Sequence, residues 1–270
     1  MFAMSSRLCG VMAVCALVLG SGAVSCGAAF AATLQVTSFD RGQIAEAQAA
    51  LAAFQAGTDG SAAPGQGMQA VRTENFDGLA AWDGLAGAAD PTTAVGRFSS
   101  LGGRGTGSSA IAGGTSLQVR DEAPSAWGRF GVGGPDAAWL DSNDTLGMRW
   151  EVGGLSSFNA IAFLLTDVSD VGARFSIRVG DTLFPDLLGA SGRLANGSIQ
   201  LVRILLPETV TGLAIELANS RLNDGFGLDG ATIGRIAPIP LPPAALLLLS
   251  SAAALLGFGR RAGGGLGRRG

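Results

Sequence analysis

The chain has 270 residues, a formal charge of −3 and 43 glycines, with no histidine, tyrosine or lysine; all 18 basic residues are arginine. Without histidine there is no Ser-His-Asp or Cys-His relay and no imidazole metal ligand, and without lysine there is no Schiff-base amine and no P-loop. The three cysteines, Cys9, Cys15 and Cys26, all precede residue 27, so the rest of the chain has no disulfide, thiol nucleophile or thiolate-held metal.

In chain order the first element is MFAMSSRLCGVMAVCALVLGSGAVSCGAAFAA. One positive charge at Arg7, an apolar stretch of about a dozen residues, and small residues up to Ala29-Phe30-Ala31 give the three-part pattern of a secretory signal. The pattern predicts a signal peptide over residues 1–31, removed by signal peptidase. A competing reading takes Ala23-Val24-Ser25-Cys26 as a loose lipoprotein box with Cys26 acylated.

Residues 32–69 are rich in Ala, Gly and Gln. Within them GQIAEAQAALAAFQAG predicts one helix, with Ile44, Ala47, Leu51 and Phe54 on one face and Gly57 as its stop. It either packs on the following domain or forms a stalk. The TDGSAAPGQG that follows has linker composition.

Residues 70–236 change to short runs with a two-residue period, broken by Gly, Asn, Asp and Pro. Strands are predicted over 71–77, 93–100, 115–121, 126–132, 145–152, 159–168, 173–181, 198–206, 210–218 and 226–236. In ARFSIRVGD, Phe175, Ile177 and Val179 share one face and Arg174, Ser176 and Arg178 the other, whereas NAIAFLLTDV is apolar on both. The expected fold is all-β: an antiparallel sandwich of about 8–10 strands, preceded by one helix. ENFDGL and DGFGLDGATI resemble the paired terminal strands of jelly-roll, carbohydrate-binding-like domains, which implies a jelly-roll-like arrangement without locating a ligand.

The last segment, residues 237–270, reads IPLPPAALLLLSSAAALLGFGRRAGGGLGRRG from Ile239 onward. Its apolar run from Ala244 to Phe258 spans 15 residues, about 22 Å as a helix, against a hydrocarbon core of about 30 Å. Four prolines precede it, and Arg260, Arg261, Arg268 and Arg269 follow on what the positive-inside rule makes the cytoplasmic side. The Pro-rich motif Ile239-Pro240-Leu241-Pro242-Pro243-Ala244, the apolar helix and the arginine cluster together resemble the PEP-CTERM class of sorting signals, in its VPLPA-CTERM variant. Ile stands for the family's Val and Pro243 for its first Ala. The resemblance implies recognition by an exosortase, a transient membrane contact through this helix, and release or re-attachment at the cell surface alongside exopolysaccharide. The alternative is a plain C-terminal anchor.

Between the two ends lie all twenty-one acids and thirteen arginines, a net charge of −8. Such a body repels phosphate backbones, which argues against nucleic acid and for a cationic or neutral partner. Two acid clusters suit calcium, the one cofactor the sequence suggests: Asp136, Asp141, Asn143 and Asp144 around WLDSNDT, and Asp224 with Asp229 in NDGFGLDG, the latter with Glu74 or Asp77 across the terminal strands. Asp167 and Asp170, with Asp181 a hairpin away, form a third. Each reads equally as an Asx-rich turn, and none has EF-hand spacing. Among four tryptophans, Trp82 in AAWDGLAG is the expected exposed one, able to stack on a sugar ring; the others read as core. No catalytic residues are assigned. The expectation is a non-enzymatic exported surface or matrix protein associated with exopolysaccharide or the envelope. The alternatives are a glycan hydrolase or lyase working through carboxylates such as Glu151, Glu208 or Glu216, and a calcium-stabilised adhesion module.

Overall fold

The computed structural model describes residues 32–60, 67–79, 91–110, 114–121, 127–133, 137–186 and 193–237. The signal peptide, the sorting motif from Ile239 to Ala244, the arginines Arg260 and Arg261, and Trp82 and Asp136 therefore lie outside the described residues.

The described chain runs β1 (Thr33–Phe39), α1 (Ile44–Ala56), β2 (Gln69–Glu74), β3 (Thr92–Thr93), β4 (Gly96–Ser100), β5 (Gln118–Arg120), β6 (Trp139–Asp141) and β7 (Gly147–Val152). It continues through β8 (Phe158–Thr166), β9 (Phe175–Val179), β10 (Thr182–Phe184), β11 (Ile199–Val210), β12 (Leu213–Asn219) and β13 (Gly227–Arg235). One sheet has seven strands in the order β1-β11-β8-β13-β6-β5, with β2 also paired to β13; the other has six, in the order β10-β9-β12-β7-β4-β3. Every pairing is antiparallel. The fold is an all-β sandwich, and the first and last strands of the 70–236 region, β2 and β13, lie side by side with Glu74 opposite Ala231.

Period-two patterning explains the main core. Phe175, Ile177 and Val179 of β9, and Met148, Trp150 and Val152 of β7, turn inward to meet Ile161, Phe163 and Leu165 of β8. The Trp150 ring meets Phe163 edge-on across the sheets at 6.0 Å and stacks on Phe98 at 5.1 Å. The outward face of the six-stranded sheet is charged. There Arg149 reaches Glu216 at 2.8 Å and Glu151 at 3.6 Å, and Arg178 reaches Glu216 at 3.4 Å.

Why β8 is apolar on both faces follows from α1. Ala160, Ala162 and Leu164 point away from the sandwich interior and join Ile199 and Leu201 of β11 in a second core, closed by Ala47, Leu51 and Phe54 of the helix. The helix is thus a lid on the seven-stranded sheet and not a stalk. Its end is set by Gly57 at φ 67°, whose N–H returns to the Phe54 carbonyl at 3.1 Å.

Besides the short β10, which lies outside every predicted run, three strand assignments change. β1 falls in the segment that the sequence assigns to helix and linker, although TLQVTSF alternates and turns Leu34 and Val36 toward the main core. β6 forms from WLD, read beforehand only as part of a turn. The described part of 126–132 forms no strand: Phe130 and Val132 dip into the second core, and the Asp229 carboxylate holds the amides of Val132 and Gly133 at 2.7 and 3.1 Å.

Candidate functional site

In β6 the side chain of Asp141 is fully buried, which demands a partner for its charge. It has two. Its Oδ1 lies 2.6 Å from Arg129 Nη1 and its Oδ2 lies 2.9 Å from Arg120 Nη1. The chain then reverses through Asn143 and Asp144, both at positive φ (52° and 58°), and the Asn143 amide donates back to Asp141 Oδ1 at 2.7 Å. This is the Asx turn that local hydrogen bonding favours. It aims Asp144 at the other guanidinium nitrogen, Arg129 Nη2, at 2.9 Å, and at the Ser109 hydroxyl, which donates to Oδ2 at 2.6 Å. The cation that Asp141 and Asp144 meet is therefore an arginine. Burial alone would lower the Arg129 pKa, but the carboxylates of Asp141, Asp144 and Asp167 outweigh it and hold the group above its ordinary value.

Gly225 makes this packing possible, since any Cβ there would run into the Arg129 guanidinium and Asp144 Oδ1. Arg120 completes the cluster by donating to the Ser109 carbonyl at 3.2 Å, with its guanidinium 5.5 Å from the Trp139 ring.

Outside this neutralised pair of arginines and aspartates opens a cleft of about 220 Å³. It is built by loops that the antiparallel register brings to one end of the sandwich: those before and after β5, the β6–β7 and β8–β9 turns, and the entries to β11 and β13. Its lining includes Ser108, Trp127, Asp167, Asp170, Asn196 and Asn223. Asn223 Oδ1 fixes one wall by accepting the Thr106 and Gly107 amides at 2.7 and 2.8 Å. Trp127 is 38% exposed and its Nε1 donates to the Ser108 hydroxyl at 3.2 Å, which orients the ring.

The floor is acidic. Asp167 is only 3% exposed, with Oδ1 accepting the Gly197 amide at 2.8 Å. Burial pushes its pKa up to about 8, against that amide and with help from the Asp170 carboxylate; burial raises Asp170 as well. Gly128, at φ 91°, packs closely against Asp167 Oδ1 and Asn196 Oδ1, where any Cβ would clash. Behind the cleft Asp224 receives the Ala173 amide at 2.7 Å, and burial moves it up to about 6.

The clusters read from sequence thus separate. Asp141, Asn143, Asp144, Asp167 and Asp170 converge at this end, with Asp224 close by. Asp229 instead sits in a bulge of β13 and serves the 130–133 loop, where burial, opposed by the amides of Gly230, Val132 and Gly133, moves it up to about 6. Glu74 and Asp77 accept backbone amides, from Phe76 at 2.8 Å and from Ala138 at 2.8 Å, and the Asp77 charge lies close enough to Asp229 to add to the rise in its pKa. Among the described residues no group of three acids is placed to hold a metal ion. Among the described tryptophans, Trp139 and Trp150 are core, whereas Trp127, expected to be core, is exposed. Arg120 and Arg129 also go unread in the sequence, because the carboxylates they meet are 21 and 12 residues away and no local pattern marks them.

No protein-family model and no curated protein matches this chain. Among solved structures it is similar to the CBM22-1 xylan-binding domain of Xyn10C from Paenibacillus barcinonensis, at 16% identity and a TM-score of 0.29, over 56% of this chain and 100% of that one. It is also similar to the Stig cyclase Fisc from Fischerella sp. TAU, at 12% identity and a TM-score of 0.30, over 68% of this chain and 96% of that one. Likeness at this level carries nothing about ligand or activity.

Proposed function

We propose that this is an exported, exosortase-processed surface or matrix protein whose sandwich binds glycan without transforming it. The observation that carries the binding role is Trp127: a half-exposed indole, oriented by Ser108, at a cleft otherwise lined by amide, hydroxyl and carboxyl groups. An aromatic face beside convergent polar groups is what a sugar ring, with its apolar C–H faces and equatorial hydroxyls, needs. The export role rests on the three-part pattern at one end and the proline, apolar and arginine pattern at the other.

Sheet register supports the combination. Thr33, Leu205, Ala160 and Gly234 form one row across β1, β11, β8 and β13, at the end of the sandwich opposite the cleft. A chain tethered through the segment after residue 237 would present the cleft away from its attachment. Titration of purified protein with host exopolysaccharide tests the reading: binding that weakens about tenfold, or about 1.4 kcal/mol, in Trp127→Ala is expected. Equal affinity of Trp127→Ala and parent protein would refute it.

Catalysis by carboxylates has one observation in its favour, the raised pKa of Asp167 beside Asp170 in the cleft. Asp144, the third acid there, is already committed to Arg129 and Ser109. Release of new reducing ends from polysaccharide, lost in Asp167→Asn, would establish that reading; glutamates Glu151 and Glu216 sit in ion pairs on the opposite sheet face and serve neither.

A further inference from the structure

Charge within the cleft narrows the class of glycan. Arg120 and Arg129 are ion-paired with Asp141 and Asp144, which leaves Asp167 and Asp170 as acids of the lining with no ion pair of their own, although Arg129 and Arg193, whose Nε donates to the Asp170 carbonyl at 2.7 Å, lie near them. Asp167 is nine-tenths buried, lines the cleft, and uses only Oδ1, on the Gly197 amide; Oδ2 receives no hydrogen bond from the described residues. Asn196 lines the same wall and its Oδ1 lies close to the bare Cα of Gly128, as does Asp167 Oδ1. The floor therefore presents acceptor oxygens, an indole face stands at its side, and the whole body carries −8.

We propose that the cleft selects an amine-bearing sugar, its ammonium held by Asp167, Asp170 and the Asn196 carbonyl while its ring lies against Trp127. The inference rests on the glycan reading above and adds the substrate class. An ammonium supplies three donors to a site made of acceptors, and an aromatic face attracts a cation as well as a C–H surface. A uronate or sulfated sugar would place like charge against Asp170 and would oppose ionisation of Asp167. An N-acetylated sugar would bury an amide with one donor against them. Burial disfavours ionised Asp167 in the empty cleft, and an arriving ammonium removes that penalty by pairing with it.

The test is calorimetric titration of the full chain with three probes of equal length: glucosamine oligomers, N-acetylglucosamine oligomers and oligogalacturonate. Glucosamine oligomers are expected to bind at least about tenfold more tightly than the acetylated form, and the uronate not at all. Asp170→Asn, at a half-buried position, should bring the first two together, and Trp127→Ala should weaken both. Equal binding of the amine and acetylated probes, with both still lost in Trp127→Ala, would overturn the amine selection and leave the glycan reading standing. Amine binding that neither variant changes would mean general attraction to an acidic body and would overturn the selection, as would binding of none of the probes; Trp127-dependent binding of host exopolysaccharide would in either case leave the glycan reading standing.

Discussion

Asp167 concentrates the physics of the site. In an unfolded chain its proton leaves near the ordinary 3.8, and in the folded protein near 8. Between those values the folded chain holds a proton that the unfolded one has lost, so stability falls as pH rises. Asp224 and Asp229 act in the same sense but finish near 6. Each group contributes up to about 1.4 kcal/mol per pH unit while it is in its window. The thermal midpoint should therefore drop steeply from pH 4 to 6 and more gently from 6 to 8, and Asp167→Asn should flatten the upper part. A midpoint that rises from pH 6 to 8 in the parent protein would contradict a buried, protonated Asp167. Arg129 offers a second residue-level prediction. Replacing it by Met keeps the volume but leaves Asp144 with Ser109 alone, and removing one partner of a buried ion pair costs about 3–5 kcal/mol. Urea denaturation should show a loss of that size. An exposed pair such as Arg178–Glu216, by contrast, should give less than about 1 kcal/mol on Arg178→Met.

Among elements, α1 and β8 depend on each other. Ala160 and Ala162 are small on the helix-facing side of β8, which lets Phe54, fully buried, reach the sheet. Phe54→Ala should cost about 3–5 kcal/mol through the cavity it leaves, measurable by the shift of the urea midpoint. A cost below about 1 kcal/mol would mean that the helix rides loosely on the sheet. These two elements were readable in sequence because both are long: thirteen residues show a helical face, and nine show that neither side of a strand is polar. β6 and β10, of three residues each, fall outside every predicted run because they are too short to display a period of two, whereas the equally short β5 lies within the predicted run 115–121. β1 was masked by its Ala-rich surroundings, although its own seven residues alternate. At the cleft, the Asp and Asn clusters stood out because turn-forming residues group locally. Their arginine partners did not, since the pairing of β5 with β6 and the loop before β6 bring them in from a distance.

At the scale of the whole molecule, the proposed binding and attachment regions are separate. The cleft occupies one end, and both the start of β1 and the end of β13 lie at the other. The apolar run beyond residue 243, at 15 residues, is shorter than the roughly 20 that a stable span requires, so as a permanent anchor it would be strained. A transient hold followed by cutting near Pro242 suits that length better, and prolines, which disfavour helix, suit a proposed cut region there. Intact-mass measurement on protein recovered from the native host should accordingly show a species lacking the residues past about Pro242 and beginning near Ala32. Because Ile236 is tied to Asn159 by hydrogen bonds in both directions, at 2.8 and 2.9 Å, that loss should leave the thermal midpoint and the cleft's affinity unchanged. Full-length material ending at Gly270 in mature envelopes would identify the tail as a lasting anchor, in which case the cleft would still face outward but the protein would never leave the membrane.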